Sequence, residues 1–179
     1  KFDGMHLGHQ SLLQQMVMEK ENKQLFSVVF SFDIISTMGG GSLTTQQERA
    51  YLAEKFGADY LVLFPANKET MQMQPEDFIK TVLIDSLGAK IIITGADFRF
   101  GKNRTGSVET LQQYASQYGY SVVVKEDCIF ENERISSSRI KQELQIGDLK
   151  KAEAMLGYPY FMIGKIIKGK QLGRTMGIR

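Results

Sequence analysis

Apolar residues recur along the chain with two different spacings. Short runs rich in β-branched and aromatic residues are typical of buried strands. Between these runs, apolar residues return every third or fourth position, which places them on one face of a helix. The pattern predicts strands over residues 26–32, 59–64, 90–95 and 121–125, and helices over residues 8–21, 44–56, 75–87 and 107–118.

Capping and turn residues mark where the second helix begins. Thr44 or Thr45 is expected to cap it, with Gln47 or Glu48 completing a capping box. Three consecutive glycines interrupt the chain just before this cap. We therefore predict that residues 36–42 form a mobile loop.

The alternation of strands and amphipathic helices indicates the fold class. The predicted strands are nearly continuous apolar runs, as in strands that are covered on both sides. We therefore predict an α/β fold in which a parallel sheet carries helices on both faces. Such sheets bind ligands at the carboxyl ends of their strands, so the loops that leave the strands are the places to look for a site.

The pattern changes after residue 135. Ser136 is expected to cap a helix that ends at Gly147, and a shorter helix is predicted over residues 148–156. A strand is then predicted over residues 160–168, as the start of a second domain.

Charge and composition argue against several classes of protein. The 22 basic and 20 acidic residues leave a net charge of +2, which predicts no surface for bulk nucleic-acid binding. Apolar runs such as residues 25–32 are far shorter than the roughly 20 residues that cross a membrane. A single cysteine, Cys128, and no recognisable signal peptide favour the cytoplasm.

The chain starts at Lys1 without a methionine and stops at Arg179, so we treat it as a fragment of a longer protein.

The strongest chemical signal is the segment FDGMHLGH at residues 2–9, which contains both histidines of the chain. His6 and His9 are three positions apart where a helix begins, so their side chains can share one face. A helix N-terminus attracts phosphate, and Gly8 leaves room for a phosphate to approach the backbone. Two imidazoles there can donate hydrogen bonds to an α-phosphate as negative charge builds in a transition state.

Alternatively, both histidines are surface polar residues. A zinc site is a poor competitor, because two histidines and one distant cysteine are too few ligands.

A second signal is the segment ISSSRIK at residues 135–141, which opens a helix. Three hydroxyls at a helix N-terminus, with Lys141 one turn further on, form another surface suited to an anion. The alternative is an ordinary cap, with Ser138 at the N-cap and Lys141 in solvent.

A third segment, GADFRFG at residues 95–101, leaves a buried strand and is bracketed by glycines. It carries Phe98 and Phe100 on either side of Arg99, and an aromatic side chain there can stack on a planar ring. The alternative is that both phenylalanines fill the core.

Taken together, these motifs resemble the HxGH nucleotidyltransferase superfamily. Within it, the chain is similar to the N-terminal FMN adenylyltransferase module of bacterial bifunctional riboflavin kinase/FAD synthetases. The matching segments cover nearly the whole chain in the order of that family: residues 2–9, 95–101, 135–141, 156–160 and 164–177.

The resemblance implies a Rossmann-like nucleotidyltransferase fold and a reaction that transfers AMP from ATP to FMN, giving FAD and pyrophosphate. It implies that His6 and His9 are catalytic. It further implies an ATP site formed by Phe2, Asp3, Gly4, His6, Gly8, His9, Gly95, Ser137, Ser138 and Lys141.

For the acceptor, the resemblance implies a flavin site formed by Phe32, Asp33, Asp97 and Phe98. Mg²⁺ is expected to arrive with ATP and to need few protein ligands, so no metal-binding residue is assigned. Residues 1–157 would form the adenylyltransferase domain, and residues 158–179 a linker and the first strand of a riboflavin kinase-like barrel. The full-length protein would then also bind and phosphorylate riboflavin. Neither nucleic acid nor a membrane is an expected partner, and the oligomeric state is left open.

Some positions depart from the family pattern. Residues 31–36 lack the Pro-His-Pro that usually follows the second strand, and Lys141 stands where the family usually has arginine. Gly177 is followed by Ile178 and Arg179 instead of the usual Phe-Pro-Thr-Ala-Asn. The missing Pro-His-Pro keeps open the alternative of a non-catalytic flavin- or nucleotide-binding module. A second alternative is an HxGH adenylyltransferase for another phosphorylated acceptor, such as a pantetheine or nicotinate nucleotide, against which the Phe-Asp-Gly prefix and the kinase-like tail argue.

Overall fold

A computed structural model describes residues 2–33 and 41–168 of the chain. Its helices and strands alternate through residue 125, as the apolar pattern predicts. The helices are α1 (Leu7–Lys23), α2 (Gln46–Lys55), α3 (Pro75–Asp77, continued by the π-helical segment Phe78–Ser86), α4 (Val108–Tyr118), α5 (Ser137–Ile146) and α6 (Leu149–Leu156). The strands are β1 (Val28–Asp33), β2 (Tyr60–Pro65), β3 (Ile91–Gly95), β4 (Ser121–Lys125), β5 (Ile129–Phe130) and β6 (Glu133–Arg134).

The four long strands pair in parallel, which confirms the predicted α/β class. β1 lies beside β2 with Val28 opposite Tyr60, and β3 lies beside β4 with Ile91 opposite Ser121. In the described part of the chain these are two separate two-stranded ladders, and β5 and β6 form a short antiparallel hairpin. The carboxyl ends of β1 and β3 are Asp33 and Gly95, both in the predicted site.

The core has two parts. One packs α1 and α2 against α5 and α6 through fully buried side chains such as Leu52, Ile140 and Leu156. The other packs the π-helical segment against α4 and the phenylalanines of β1 and β2, with Phe78 at its centre. Helices α5 and α6 therefore belong to the same folded unit as the motif at the start of α1.

Several element boundaries confirm the capping signals. Thr45 caps α2, and Glu48 completes the reciprocal capping box. Ser136 caps α5 and Gly147 ends it. The first strand starts later than predicted, at Val28, and Phe26 is 80% exposed. The reason lies in Asp59, which accepts hydrogen bonds from the backbone and hydroxyl of Ser27 and so fixes the point where pairing begins.

The prediction of a strand over residues 160–168 is wrong. The segment pairs with no strand among the described residues, and two of its backbone N–H groups bond to side chains instead. Glu153 accepts the N–H of Tyr160 at 2.9 Å, and Glu48 accepts the N–H of Ile163 at 2.7 Å. Ile166 is 98% exposed, whereas Tyr160 and Phe161 pack against the core, and the Phe161 ring centroid lies 5.5 Å from that of Tyr51. The start of the apolar run therefore packs against described residues, and its end is exposed.

Three predictions fall wholly or partly outside the described residues. They concern the mobile loop at 36–42, the missing Pro-His-Pro within 31–36, and the similarity of 164–177 to the entry of a kinase barrel. Among the helices that the structure describes, none is long and apolar enough to cross a bilayer.

Candidate active site

The segment 2–9 forms a tight turn that leads into α1. Gly4 and Met5 have positive φ angles of 80° and 34°, and His6 then occupies the N-cap position. The His6 side chain makes no capping hydrogen bond, and no acidic residue lies in the first turn. The backbone N–H groups that start a helix are therefore available to an anion here, where the helix dipole also favours negative charge.

The two histidines stack on each other at this helix start, as their spacing predicts. Their ring centroids are 3.8 Å apart with an angle of 24° between the planes. Phe2 packs against the other side of the pair, with its ring centroid 4.9 Å from that of His9. Both imidazoles can therefore act on the same ligand group.

The environment of His6 keeps its imidazole neutral near pH 7. Burial, together with the positive charge of Arg134, lowers the pKa of His6 to about 4. A neutral imidazole retains one N–H donor for a developing negative charge.

Gly8 gives His6 the space that this arrangement needs. A Cβ atom at Gly8 would lie 3.2 Å from both Cε1 and Nδ1 of the His6 ring. We predicted that this glycine leaves space for a phosphate. In the structure the same space borders the imidazole, so a Cβ atom there would require the His6 ring to shift by a few tenths of an ångström.

Asp3 connects the motif turn to two other elements. Its carboxylate accepts hydrogen bonds from Ser42 Oγ at 2.6 Å and from the Thr44 N–H at 3.1 Å, and pairs with Lys141 Nζ at 3.0 Å. Burial raises the pKa of Asp3, but the bonds from Ser42 and Lys141 outweigh it and hold the pKa below its ordinary value. Asp3 therefore remains ionised and fixes the motif against the starts of α2 and α5.

The serine-rich start of α5 meets the motif turn directly. Ser137 Oγ donates to the Asp3 carbonyl at 2.8 Å across 134 residues of sequence, and Lys141 binds the Asp3 carboxylate. The alternative placed Ser138 at the N-cap and Lys141 in solvent, whereas in the structure Ser136 is the N-cap and Lys141 pairs with Asp3. Ser138 makes no side-chain hydrogen bond within the described residues.

Residues after α6 hold the same turn from the opposite side. The hydroxyl of Tyr158 donates to the carbonyl of Gly4. Gln10 Nε2 donates to the carbonyls of Met5 at 2.9 Å and Leu156 at 2.6 Å. The sequence identified residues 156–160 only through the family resemblance, and it assigned no role to Tyr158 or Gln10.

The loop after β3 divides its two phenylalanines between different roles. Phe100 is buried in the core, and a Cβ at Gly106 would come within 2.8 Å of its ring. Phe98 is half-buried and stacks on Phe100 with ring centroids 5.4 Å apart. Phe100 is therefore a core residue, whereas Phe98 lies at the edge of the core.

Asp97 links this loop to the β5–β6 hairpin. Its carboxylate pairs with Arg134 at 2.6 Å, and Arg134 also pairs with Asp127 at 3.0 Å. Arg134 is the residue whose charge lowers the pKa of His6. A basic side chain beside the histidines is thus a feature that sequence reasoning missed, since nothing local distinguishes Arg134 from other surface arginines.

The start of α2 lies between the nucleotide and flavin residues that we predicted. Thr44, just before the helix, bonds to Asp3, while Gln46 Nε2 donates to Asp33 Oδ2 at 3.3 Å. Phe32 packs against Phe78 in the aromatic core, with centroids 5.8 Å apart. Asp33 and Gly95 lie at the carboxyl ends of their strands, which is where parallel sheets bind ligands.

Carboxylates do not gather into a metal site in the described part of the chain. No group of three or more His, Cys, Asp or Glu residues is arranged there to hold a metal ion. The one carboxylate in the motif turn, Asp3, is already paired with Lys141.

Comparison with protein families gives one family match. A sequence model described as FAD synthetase matches residues 1–139. Curated relatives named bifunctional riboflavin kinase/FMN adenylyltransferase include those of Buchnera aphidicola (31% identical), Escherichia coli (32%) and Listeria monocytogenes (29%). Each alignment covers 98% of this chain but only 58–59% of the relative, so the chain spans about three fifths of their length.

A solved structure shares the fold. It is described as the crystal structure of a macrolide-efflux protein from Streptococcus pneumoniae, and it superposes with a TM-score of 0.85 at 28% identity. The match covers 98% of this chain and 59% of that protein. The similarity therefore includes helices α5 and α6 and the segment that follows them.

Proposed function

Because the chain belongs to the FAD synthetase family, we propose that it transfers AMP from ATP to FMN and forms FAD and pyrophosphate. One observation carries the proposal: two stacked imidazoles lie at a helix N-terminus where the N-cap side chain, His6, makes no capping hydrogen bond. That arrangement suits a phosphorus centre on which negative charge develops.

The proposed reaction is a direct displacement. A phosphate oxygen of FMN attacks the α-phosphorus of ATP, the bond to the bridging oxygen breaks, and pyrophosphate leaves with the bonding electrons. No residue of the protein forms a covalent bond, so the protein contributes positioning and charge stabilisation. His6 and His9 would donate hydrogen bonds to the α-phosphate, with the backbone N–H groups of α1 behind them.

Residues of α5 would bind the remaining phosphates. Lys141 is held at the motif turn by Asp3, and an ammonium group has three N–H donors, so it can also contact a triphosphate. Ser137 and Ser138 lie in the first turn of the same helix. MgATP is the expected form of this substrate, with Mg²⁺ bound mainly to phosphates and water. Phe2, Gly4, Gly8 and Gly95 would complete the ATP site.

The flavin would lie at the carboxyl ends of β1 and β3. We propose contacts from Phe32, Asp33, Asp97 and Phe98. The support is their position at the sheet edge and the half-buried aromatic face of Phe98. Residues 34–40, which include all three positions of the missing Pro-His-Pro, fall outside the described part.

The domain division is also a proposal. Residues 1–157 would form the adenylyltransferase unit. The family match ends at residue 139. We nevertheless include α6 in this unit, because Ala152, Met155 and Leu156 are fully buried in the core that α6 shares with α1 and α2. Residues 158–179 would lead into a riboflavin kinase-like domain, since the curated relatives are longer than this chain and carry that name. We infer a cytoplasmic location from this family and from the single free cysteine, Cys128.

The test is a turnover assay on purified protein with MgATP and FMN, in which FAD and pyrophosphate are both quantified. The proposal requires equal amounts of the two products. Replacing FMN by a pantetheine or nicotinate nucleotide tests the other-acceptor alternative. Flavin binding without pyrophosphate release would overturn the proposal in favour of a binding module.

A further inference from the structure

Arg49 in α2 is the largest fully buried side chain of the described residues. It is 1% exposed and follows the helical spacing of the buried residues Leu52 and Ala53. Its Nε and Nη2 atoms are buried, and they have no hydrogen-bond partner within residues 2–33 and 41–168. A buried guanidinium normally has its donors satisfied, so this one requires an explanation.

Neighbours of Arg49 at the start of α2 bond to both halves of the predicted site, the end of β1 and the motif turn. Gln46, one helical turn earlier on the same face, reaches Asp33 at the end of β1. Thr44, just before the helix, bonds to Asp3 in the motif turn. Burial lowers the pKa of Arg49, and the charges of Asp3 and Asp33 only partly oppose this shift.

Neither carboxylate satisfies the guanidinium directly. Asp3 is engaged by Ser42, Thr44 and Lys141, and Asp33 by Gln46. Arginine remains charged in proteins, and a buried charge without a partner is strongly unfavourable. The fork of donors on a guanidinium matches the oxygens of a phosphate group. An anion that is present only when a ligand is bound would account for this arrangement.

We infer that Arg49 binds the phosphate group of the acceptor, a flavin phosphomonoester. The inference rests on the proposed function. The ATP phosphates already have the start of α1 and the start of α5, whereas the acceptor phosphate has no cation assigned to it. Arg49 lies one helical turn after Gln46, which bonds to Asp33 at the end of β1, where the flavin is proposed. The acceptor phosphate must reach from the flavin to the α-phosphorus of ATP. A buried cation on that path would offset the repulsion between the two phosphates.

A competing explanation involves only the protein. Asp33 Oδ1 is also buried without a hydrogen-bond partner in the described residues. A small rotation of the two side chains could close an Asp33–Arg49 ion pair. In that case Arg49 would stabilise the fold, and replacing it would not change the difference in affinity between a flavin with a phosphate and one without.

The experiment compares binding of FMN and riboflavin, which differ by the phosphate. Affinities are measured by quenching of flavin fluorescence for the wild type, Arg49→Met, Arg49→Lys and the control Lys23→Met. Lys23 is an exposed residue at the end of α1 and pairs with Glu19. We expect the wild type to prefer FMN, and Arg49→Met to lose about tenfold in FMN affinity with riboflavin affinity within about twofold. Arg49→Lys should retain part of the preference, and Lys23→Met all of it.

Several results would overturn the inference. One is a wild type with no preference for FMN, and another is an equal loss of both flavins in Arg49→Met. Matching losses of thermal stability in Arg49→Met and Asp33→Asn, with the preference intact, would favour the ion pair. If Arg49→Met does not fold, Arg49→Lys decides, since an unchanged preference there contradicts a bidentate contact.

The assay also separates this inference from the proposed function. A wild type that prefers FMN but forms no FAD refutes the reaction and leaves the phosphate contact standing. If the wild type forms FAD and the Arg49→Met variant keeps the preference for FMN, the reaction is supported and the role of Arg49 is refuted.

Discussion

Asp3 and Asp97 both lie in loops of the predicted site, and each pairs with one basic side chain, yet their surroundings differ. The Asp3 side chain is 8% exposed, pairs with Lys141 at 3.0 Å and accepts further bonds from Ser42 and Thr44. The Asp97 side chain is 59% exposed, and its pair with Arg134 at 2.6 Å is surrounded by solvent. The shorter contact is therefore the weaker one, because burial and additional hydrogen bonds determine how much an ion pair stabilises.

This difference in burial and hydrogen bonding corresponds to the two sides of the proposed site, the ATP side with Asp3 and the flavin side with Asp97. The ATP side is built from segments more than a hundred residues apart that meet at the motif turn, such as Ser137 with Asp3 and Tyr158 with Gly4. The loop on the flavin side is connected to the β5–β6 hairpin by one exposed ion pair, Asp97 with Arg134. A rigid phosphate site next to a more loosely held acceptor loop is the simplest reading of these contacts.

The largest effect is expected at the histidines of the rigid half. His6→Ala or His9→Ala should each lower kcat for FAD synthesis by about 10²–10³-fold, because each removes a donor to the developing charge. Steady-state kinetics with MgATP and FMN measure this, with circular dichroism to check the fold and Lys23→Met as the control. If both variants stayed within a few-fold of the wild type, the catalytic assignment would be wrong.

Removing the buried carboxylate is expected to have the next largest effect, this time on stability. Asp3→Ala leaves Lys141, Ser42 and the Thr44 N–H without their acceptor and should lower the free energy of unfolding by about 3 kcal/mol. Urea denaturation gives the value. A loss below about 1 kcal/mol would show that the network at the motif turn is dispensable.

Acidification should weaken the rigid half through His6. Its pKa is about 4 in the folded protein against an ordinary value of 6.5, so the unfolded chain binds more protons between these values. Stability from this residue is therefore complete above pH 6.5 and falls by about 2 kcal/mol between pH 7 and pH 5. His6→Gln should show a shallower decline over this interval in denaturation without nucleotide, and a parallel decline would contradict the assignment.

The contact behind the motif turn should matter somewhat less. Tyr158→Phe removes the hydroxyl that donates to the Gly4 carbonyl but keeps the ring, and should lower stability by about 1–2 kcal/mol. Thermal unfolding measures the loss. The matched control is Tyr51→Phe, at an exposed position on α2, which should change little.

The smallest effect is expected at the exposed pair. Asp97→Ala should change the free energy of unfolding by less than about 1 kcal/mol, because solvent and salt screen its contact with Arg134. If Asp97 acts on the flavin, the same variant should raise KM for FMN while KM for ATP stays constant. A stability loss as large as that of Asp3→Ala would remove the distinction between the two loops.

Some residues of the site could be predicted from their neighbours in the sequence, and others could not. The spacing of His6 and His9 predicted that they share a face, and their stacked rings confirm it. Arg49 also left a signal that was overlooked: a charged residue three positions before Leu52 on a buried helix face. Arg134 left none, because its importance depends on a hairpin that brings it near His6.

The sequence by itself determined the alternation of helices and strands, the caps at Thr45 and Ser136, and the site at the start of α1. These depend on neighbours within a turn or two, where spacing and capping chemistry act directly. Only the tertiary structure decided that Ser137, Lys141 and Tyr158 close on one turn, and that the apolar run at 160–168 forms no strand with the described residues. A strand needs a partner and a buried charge needs an environment, and both are supplied by distant parts of the chain.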